Sequence, residues 1–201
     1  ENKVHEKITD GKRALKSLAF SPDGGLWLAM IGNTRRYGLA TKNDIYTINL
    51  ISGEERNLTS DFVSKVGDSV SGGTGVARGS GLLWSKDSRA IYFLNAMDGN
   101  MNLYKANLDS AEVELVSDTS RSMQSFSFSA DQSVMSFLST DIVSSSEIWV
   151  WDSNSTRKQS GFNDELFEGL NLSKGEKFIM KASDEVPIDC WYFNPVDSAE
   201  D

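Results

Sequence analysis

The sequence predicts an all-β protein built from β-propeller blades, and three observations carry that prediction. A short phrase recurs as Phe20-Ser21-Pro22-Asp23-Gly24, Trp84-Ser85-Lys86-Asp87-Ser88 and Phe128-Ser129-Ala130-Asp131-Gln132, with a worn copy at Leu172-Ser173-Lys174-Gly175-Glu176. Ser85, Ser129 and Ser173 stand 44 residues apart, and Ser21 lies 64 residues before Ser85. Repeats of roughly 40–45 residues that each hold several short strands mark propeller blades. The second observation is strict alternation in Ile45-Tyr46-Thr47-Ile48-Asn49-Leu50 and in Ile148-Trp149-Val150-Trp151, as a strand with one buried face requires. Third, no segment carries a long helical periodicity.

Each repeat reads as four strands. In the first, residues 15–20 lead into Ser-Pro-Asp-Gly, where Pro22 presets φ and Gly24 allows a positive φ. Residues 26–31, 44–50 and 54–58 supply the other strands, the last after a turn at Ser52-Gly53. The second repeat runs over 82–84, 90–94, 101–108 and 113–116, and the third over 125–128, 134–138 and 147–151 with a weak fourth near 157–159. Asp23, Asp87 and Asp131 fall one to a turn and are expected to bond nearby backbone amides, not to converge on a metal. Trp84, Trp149, Trp151 and Trp191 are expected as packing residues.

Two insertions break the regularity: residues 33–43, between the second and third strands of the first repeat, and residues 60–81, linking that repeat to the next. In an up-and-down blade both connections emerge on one end, and the Ser-x-Asp turns on the other. Long connections are where function concentrates, although a flexible solvated loop is an equally good reading of the Gly- and Ser-rich 60–81. Arg35-Arg36-Tyr37 lies in the first insertion and is the candidate substrate contact, able to hold a peptide carbonyl or carboxylate through the arginine fork.

Residues 4–9, ending Ile8-Thr9-Asp10, match the fourth strand of a blade whose other strands are missing. Three full repeats with partial ones at the ends predict a stretch of a longer propeller, since rings use about four to eight blades. The open blade edges are expected sites for pairing with a second copy. In the competing arrangement, residues 170–195 supply three strands of a blade that 4–9 completes, closing a four-bladed ring.

Composition excludes several functions. With 29 acidic against 20 basic residues and a net charge of −9, a nucleic-acid partner is not expected, because phosphate binding needs a basic patch. No apolar run approaches the roughly 20 residues of a membrane span, and no membrane partner is expected. Cys190 is alone, so no intrachain disulfide forms. No cofactor or metal is implied, and the polar start, Glu1-Asn2-Lys3-Val4-His5, leaves the compartment open. Asn57, Asn154 and Asn171 match the glycosylation pattern, as chance allows in a chain rich in Ser and Thr.

Gly81-Leu82-Leu83-Trp84-Ser85-Lys86-Asp87-Ser88-Arg89-Ala90-Ile91-Tyr92-Phe93, followed by Asp98-Gly99-Asn100-Met101-Asn102-Leu103-Tyr104, resembles a blade of the prolyl oligopeptidase family of serine peptidases, in particular its acylaminoacyl-peptidase and dipeptidyl-aminopeptidase branches. Ser146-Glu147-Ile148-Trp149-Val150-Trp151-Asp152 and then Gln159-Ser160-Gly161-Phe162-Asn163 resemble the family's last blade and its exit, with Ser160-Gly161 replacing the usual Thr. The stretch from Lys177 to Pro195 resembles the hairpin that opens the family's α/β-hydrolase domain, with Asp184-Glu185 replacing Asp-Gly. The resemblance implies blades over 1–163 and an exit segment and hairpin over 164–201, with the hydrolase domain as a partner in cis.

Family members cleave short peptides with a Ser/Asp/His triad on that domain, and the propeller gates access. This chain lacks the triad: Gly67-Asp68-Ser69-Val70-Ser71 has no second glycine, and the sole histidine, His5, lies far from the hairpin. The chain alone is therefore expected to be inactive. Glu54-Glu55 invites comparison with the glutamate pair that grips a substrate's amino terminus in dipeptidyl-peptidase relatives, but it follows a Ser-Gly turn on an outer strand and is expected to be a solvated edge. The alternative to a peptidase part is a stand-alone propeller that binds a protein or glycan.

Overall fold

A computed structural model describes residues 5–38, 41–67, 71–72, 75–76, 81–117 and 121–196. Three four-stranded antiparallel meanders dominate it. The first consists of β1 (Ala14–Phe20), β2 (Trp27–Asn33), β3 (Asp44–Asn49) and β4 (Glu55–Asn57). A two-residue ladder between β5 (Ser71–Gly72) and β6 (Gly75–Val76) lies in the link to the second meander. That meander holds β7 (Leu83–Trp84), β8 (Ala90–Met97), β9 (Asn100–Asn107) and β10 (Val113–Leu115). The third holds β11 (Ser122–Phe128), β12 (Met135–Asp141), β13 (Ser144–Trp151) and β14 (Thr156–Lys158). A short helix, α1 (Asp164–Glu168), precedes an isolated hairpin of β15 (Glu176–Lys181) and β16 (Pro187–Tyr192).

The recurring phrase is a side-chain-built turn between the first two strands of each blade. Its serine hydroxyl donates to the aspartate two residues on (Ser21 to Asp23 at 2.5 Å, Ser85 to Asp87 at 2.6 Å, Ser129 to Asp131 at 2.6 Å). The same hydroxyl accepts the first N–H of the next strand, from Trp27, Ala90 and Val134. The aspartate accepts from Leu26, Arg89 and Ser133. Hydrogen bonds from Ser129 and Ser133 hold the Asp131 carboxyl at about 2. The fifth residue reaches the preceding blade: Ser88 accepts the N–H of Asp23, and Gln132 bonds both Lys86 N–H and the Trp84 carbonyl.

A second latch ties each outer strand to its neighbour. The N–H groups of Ile45, Leu103 and Ile148 donate to the hydroxyls of Thr59, Ser117 and Ser160 at 2.9, 3.0 and 2.8 Å. The backbones of Leu58, Val116 and Gln159 donate to the carbonyls of those same three residues at 2.8 Å each.

Two apolar clusters fill the spaces between blades. Between the first and second lie Ile31, Ile45, Leu58, Val66, Trp84, Ile91, Phe93 and Tyr104, and the Trp84 indole donates to the Ala19 carbonyl at 2.9 Å. Between the second and third lie Leu94, Leu103, Met123, Phe126, Met135 and Phe137, with Trp149 and Trp151 packed against them. Trp84, Trp149 and Trp151 are interblade packing, as expected.

Three expectations change. Residues 5–9 form no strand, since no described strand pairs with them and a blade's fourth strand is held by its third. Residues 170–175 also form no strand, and among the described residues β15 and β16 pair only with each other, so no fourth blade forms there to close a ring. The first part of the 60–81 link packs into the array as a wedge, although Val63 stays exposed, and is not a free solvated loop. Val66 is fully buried, Phe62 packs edge-on against Phe93 and Tyr104, and Ser64 donates to the Ala96 carbonyl. Much of 68–80, including part of the Gly67–Ser71 sequence, lies outside the described residues, as does Val4.

Candidate functional site

Alternating strand direction puts the β2–β3 connections, the interblade links and the exit after β14 on one end of the array. An open cleft of about 480 Å³ lies there, at the top of the first blade, within the range of small-ligand sites. Ala14, Leu15 and Lys16 of β1 line it with Asn33 at the end of β2, Arg35 and Gly38 of the connection, Asn43 and Lys65. The Asn33 amide donates to the Asn43 carbonyl oxygen at 2.6 Å, and the Asn43 amide donates to the Val66 carbonyl at 3.2 Å. The Val66 N–H in turn donates to the Asn43 carbonyl at 3.1 Å. Asn43 is 4% exposed, so a rigid amide relay fixes the backbone beside Lys65. Arg35 sits at φ 56°, left-handed, with its N–H donating to the Asn33 side chain.

Of the predicted contact residues, only Arg35 lines the cleft. Arg36 lies over the neighbouring Tyr37 ring, 5.2 Å from its centre, and Tyr37 is 65% exposed on the loop. Lys16, Lys65, Asn33 and Asn43 were not legible as site residues, because they come from four separate segments. Glu54 pairs with Arg56 and Glu55 with Arg13, so neither carboxylate is left to grip an amine. Among the described residues no cluster of His, Cys, Asp and Glu could hold a metal, and no helix is long and apolar enough to cross a membrane.

The exit is anchored by a buried glutamate. Glu147 is 2% exposed and accepts from the Ser160 hydroxyl, the backbone N–H groups of Phe162 and Asn163, and the Asn163 side-chain amide. These neutral donors, Ser160 first, lower its carboxyl from 4.5 to about 2. The Asn163 amide also donates to the Ser146 carbonyl, and its side chain makes no cap bond to α1. A signal for the clamp exists in the sequence: Thr59 and Ser117 each follow a polar residue, Asp44 and Asn102, by 15 positions, as Ser160 follows Glu147 by 13.

Beyond the clamp, the hairpin returns to the array. Lys177 donates to the Asp98 carbonyl at 3.1 Å, and the Trp191 ring occupies the space a β-carbon on Gly99 would need. Asp98 (φ 54°) and Gly99 (φ 83°) are both left-handed, the conformation of a tight hairpin turn. Replacing Gly99 with alanine is expected to cost about 1–2 kcal/mol through backbone strain and to displace Trp191. A red shift in tryptophan emission and faster hydrogen exchange over 187–192 would register that displacement. If Trp191→Ala leaves exchange there unchanged, the ring is not what docks the hairpin.

The chain is similar in structure to Pyrococcus horikoshii acylaminoacyl peptidase, at 18% identity and TM-score 0.68, over 97% of this chain and 27% of that one. It is also similar to the β-propeller domain of the Trilobed protease from Pyrococcus furiosus (16% identity, TM-score 0.51, 77% of this chain and 41% of that one). The chain consists of β-propeller blades. TolB from Acinetobacter baumannii shares them at 17% identity and TM-score 0.50, over 95% of this chain and 40% of that one. The propeller chain thus spans less than half the length of each of these structures. No family model and no curated protein matches it.

Proposed function

We propose that this chain is the propeller part of a serine peptidase of the prolyl oligopeptidase family, from its acylaminoacyl- or dipeptidyl-peptidase branch. It gates the access of short peptides to an α/β-hydrolase domain in cis and is itself inactive. The observation that carries this reading is the exit: a glutamate clamp closes the last blade, and after the short helix α1 the next described strands form a hairpin, not a further blade. That hairpin exposes Phe178, Ile179, Met180, Ile188 and Tyr192, an apolar surface suited to a following domain. The cleft opens on the same end, so the Arg35-Arg36-Tyr37 loop would meet substrate entering between the two parts. The far face of the third blade exposes the cross-strand pair Leu138 and Ile148, a surface for a second copy.

The test is active-site labelling. The full-length polypeptide carrying this sequence is expected to react with a serine-directed fluorophosphonate and to hydrolyse short acylated peptide anilides, whereas the 201-residue chain does neither. A full-length polypeptide that takes up no label would sink the peptidase reading. The stand-alone binding propeller would then stand, a reading supported by the structural likeness to TolB over 95% of this chain.

A further inference from the structure

We propose that the cleft at the top of the first blade binds an oxyanion, a carboxylate or phosphate group carried by a small ligand. This rests on the reading of the Arg35 loop as the ligand-contacting part and narrows what it contacts. Three cations, Lys16, Arg35 and Lys65, line the cleft with two amides, and among the described lining residues there is no carboxylate. That runs against the composition of a chain with nine more acidic than basic residues.

It also runs against the pairing of most other described cations. Arg13, Lys42, Arg56, Arg89, Lys105 and Arg121 each lie within ion-pair distance of a carboxylate. Among the described residues, Lys16 and Arg35 form no ion pair. Like charges gathered in one cleft repel one another, and an anion between them converts that cost into charge-assisted hydrogen bonds, which are about twice as strong as neutral ones. The guanidinium supplies a planar fork and the lysines mobile point charges. The three come from an inner strand, a loop held by Asn33 and a wedge held by Asn43, so the backbone segments that carry the charges are in place before any ligand arrives.

Titration calorimetry on the 201-residue chain tests this with three probes: inorganic phosphate, N-acetyl-trialanine with a free carboxylate, and the same peptide as its amide. Binding of phosphate, of the free acid, or of both supports the proposal, and the pattern tells which source carries the group. The amide is expected to bind at least about tenfold more weakly than the acid. Lys16→Gln and Arg35→Gln are each expected to weaken binding about tenfold, the loss of one charge-assisted hydrogen bond. Lys86→Gln, in a turn at the opposite end, should leave binding unchanged.

Binding should also fade towards about 1 M NaCl, where the screening length is about 3 Å. The proposal is overturned if neither anion binds, or if both cleft variants bind as tightly as the unaltered chain. These results are independent of fluorophosphonate labelling: loss of anion binding beside a labelled full-length polypeptide removes this site and leaves the peptidase reading standing.

Discussion

Replacing Phe93 with alanine is expected to cost about 3–5 kcal/mol of folding stability, a large share of the roughly 5–15 kcal/mol that holds a domain together. Phe93 is 1% exposed at the centre of the cluster between the first and second blades. Its ring lies 6.0 Å from Phe62, edge-on, and 5.9 Å from Tyr104, stacked. Truncation leaves a cavity that the flanking strands cannot close, because β8 is locked in register with β9 over its whole length and the wedge is tethered by Ser64 and Asn43. Urea unfolding followed by circular dichroism reads the loss directly. Phe62→Ala should lose less alone, and the double variant less than the sum, since the two rings share one contact. A cost below about 1 kcal/mol for Phe93→Ala would mean that the 59–67 wedge is not part of the interblade core.

The second large effect concerns acid. Glu147 has a folded pKa of about 2 against its ordinary 4.5. Between those values the unfolded chain binds more protons than the folded one, so stability rises with pH across that window. The contribution is complete above about 4.5 and is lost as pH falls towards 2. Every donor to this carboxylate is neutral, so the effect should persist in high salt, unlike that of an exposed pair such as Lys105–Glu114. Glu147→Gln should therefore lower the melting temperature at neutral pH and narrow its gap to the unaltered chain as pH falls to about 2, with or without about 1 M NaCl. Asn163→Ala, which removes two hydrogen bonds and leaves the buried carboxylate short of a donor, should cost about 1–3 kcal/mol. A gap between Glu147→Gln and the parent that does not vary with pH would show that the ionised form is not what the clamp holds.

The blades were legible because their rules are local. Alternation and a turn phrase identify strands within a few residues: 15–20 against Ala14–Phe20, and 44–50 against Asp44–Asn49. Expectations failed where a strand needs a partner far along the chain, as at residues 5–9, or where burial is decided by a neighbouring blade, as for Val66. The cleft was half legible. Arg35 stood out as a basic pair inside an insertion, but Lys16 and Lys65 lie 49 residues apart and meet only because β1 and the wedge flank the same end of one sheet. Glu147 was hidden for a different reason. A buried glutamate looks like any polar residue in an alternating strand until the chain turns back and supplies its donors.

The fifth residue of the turn phrase has a consequence for how such arrays arise. Ser88 and Gln132 each fasten their own unit to the one before it, through backbone groups that any sequence possesses. A duplicated unit therefore brings its own attachment and needs nothing new from its predecessor. Such a chain can be lengthened or shortened by whole units at little cost to fit, whereas a change of a few residues within a unit breaks the fastening at once.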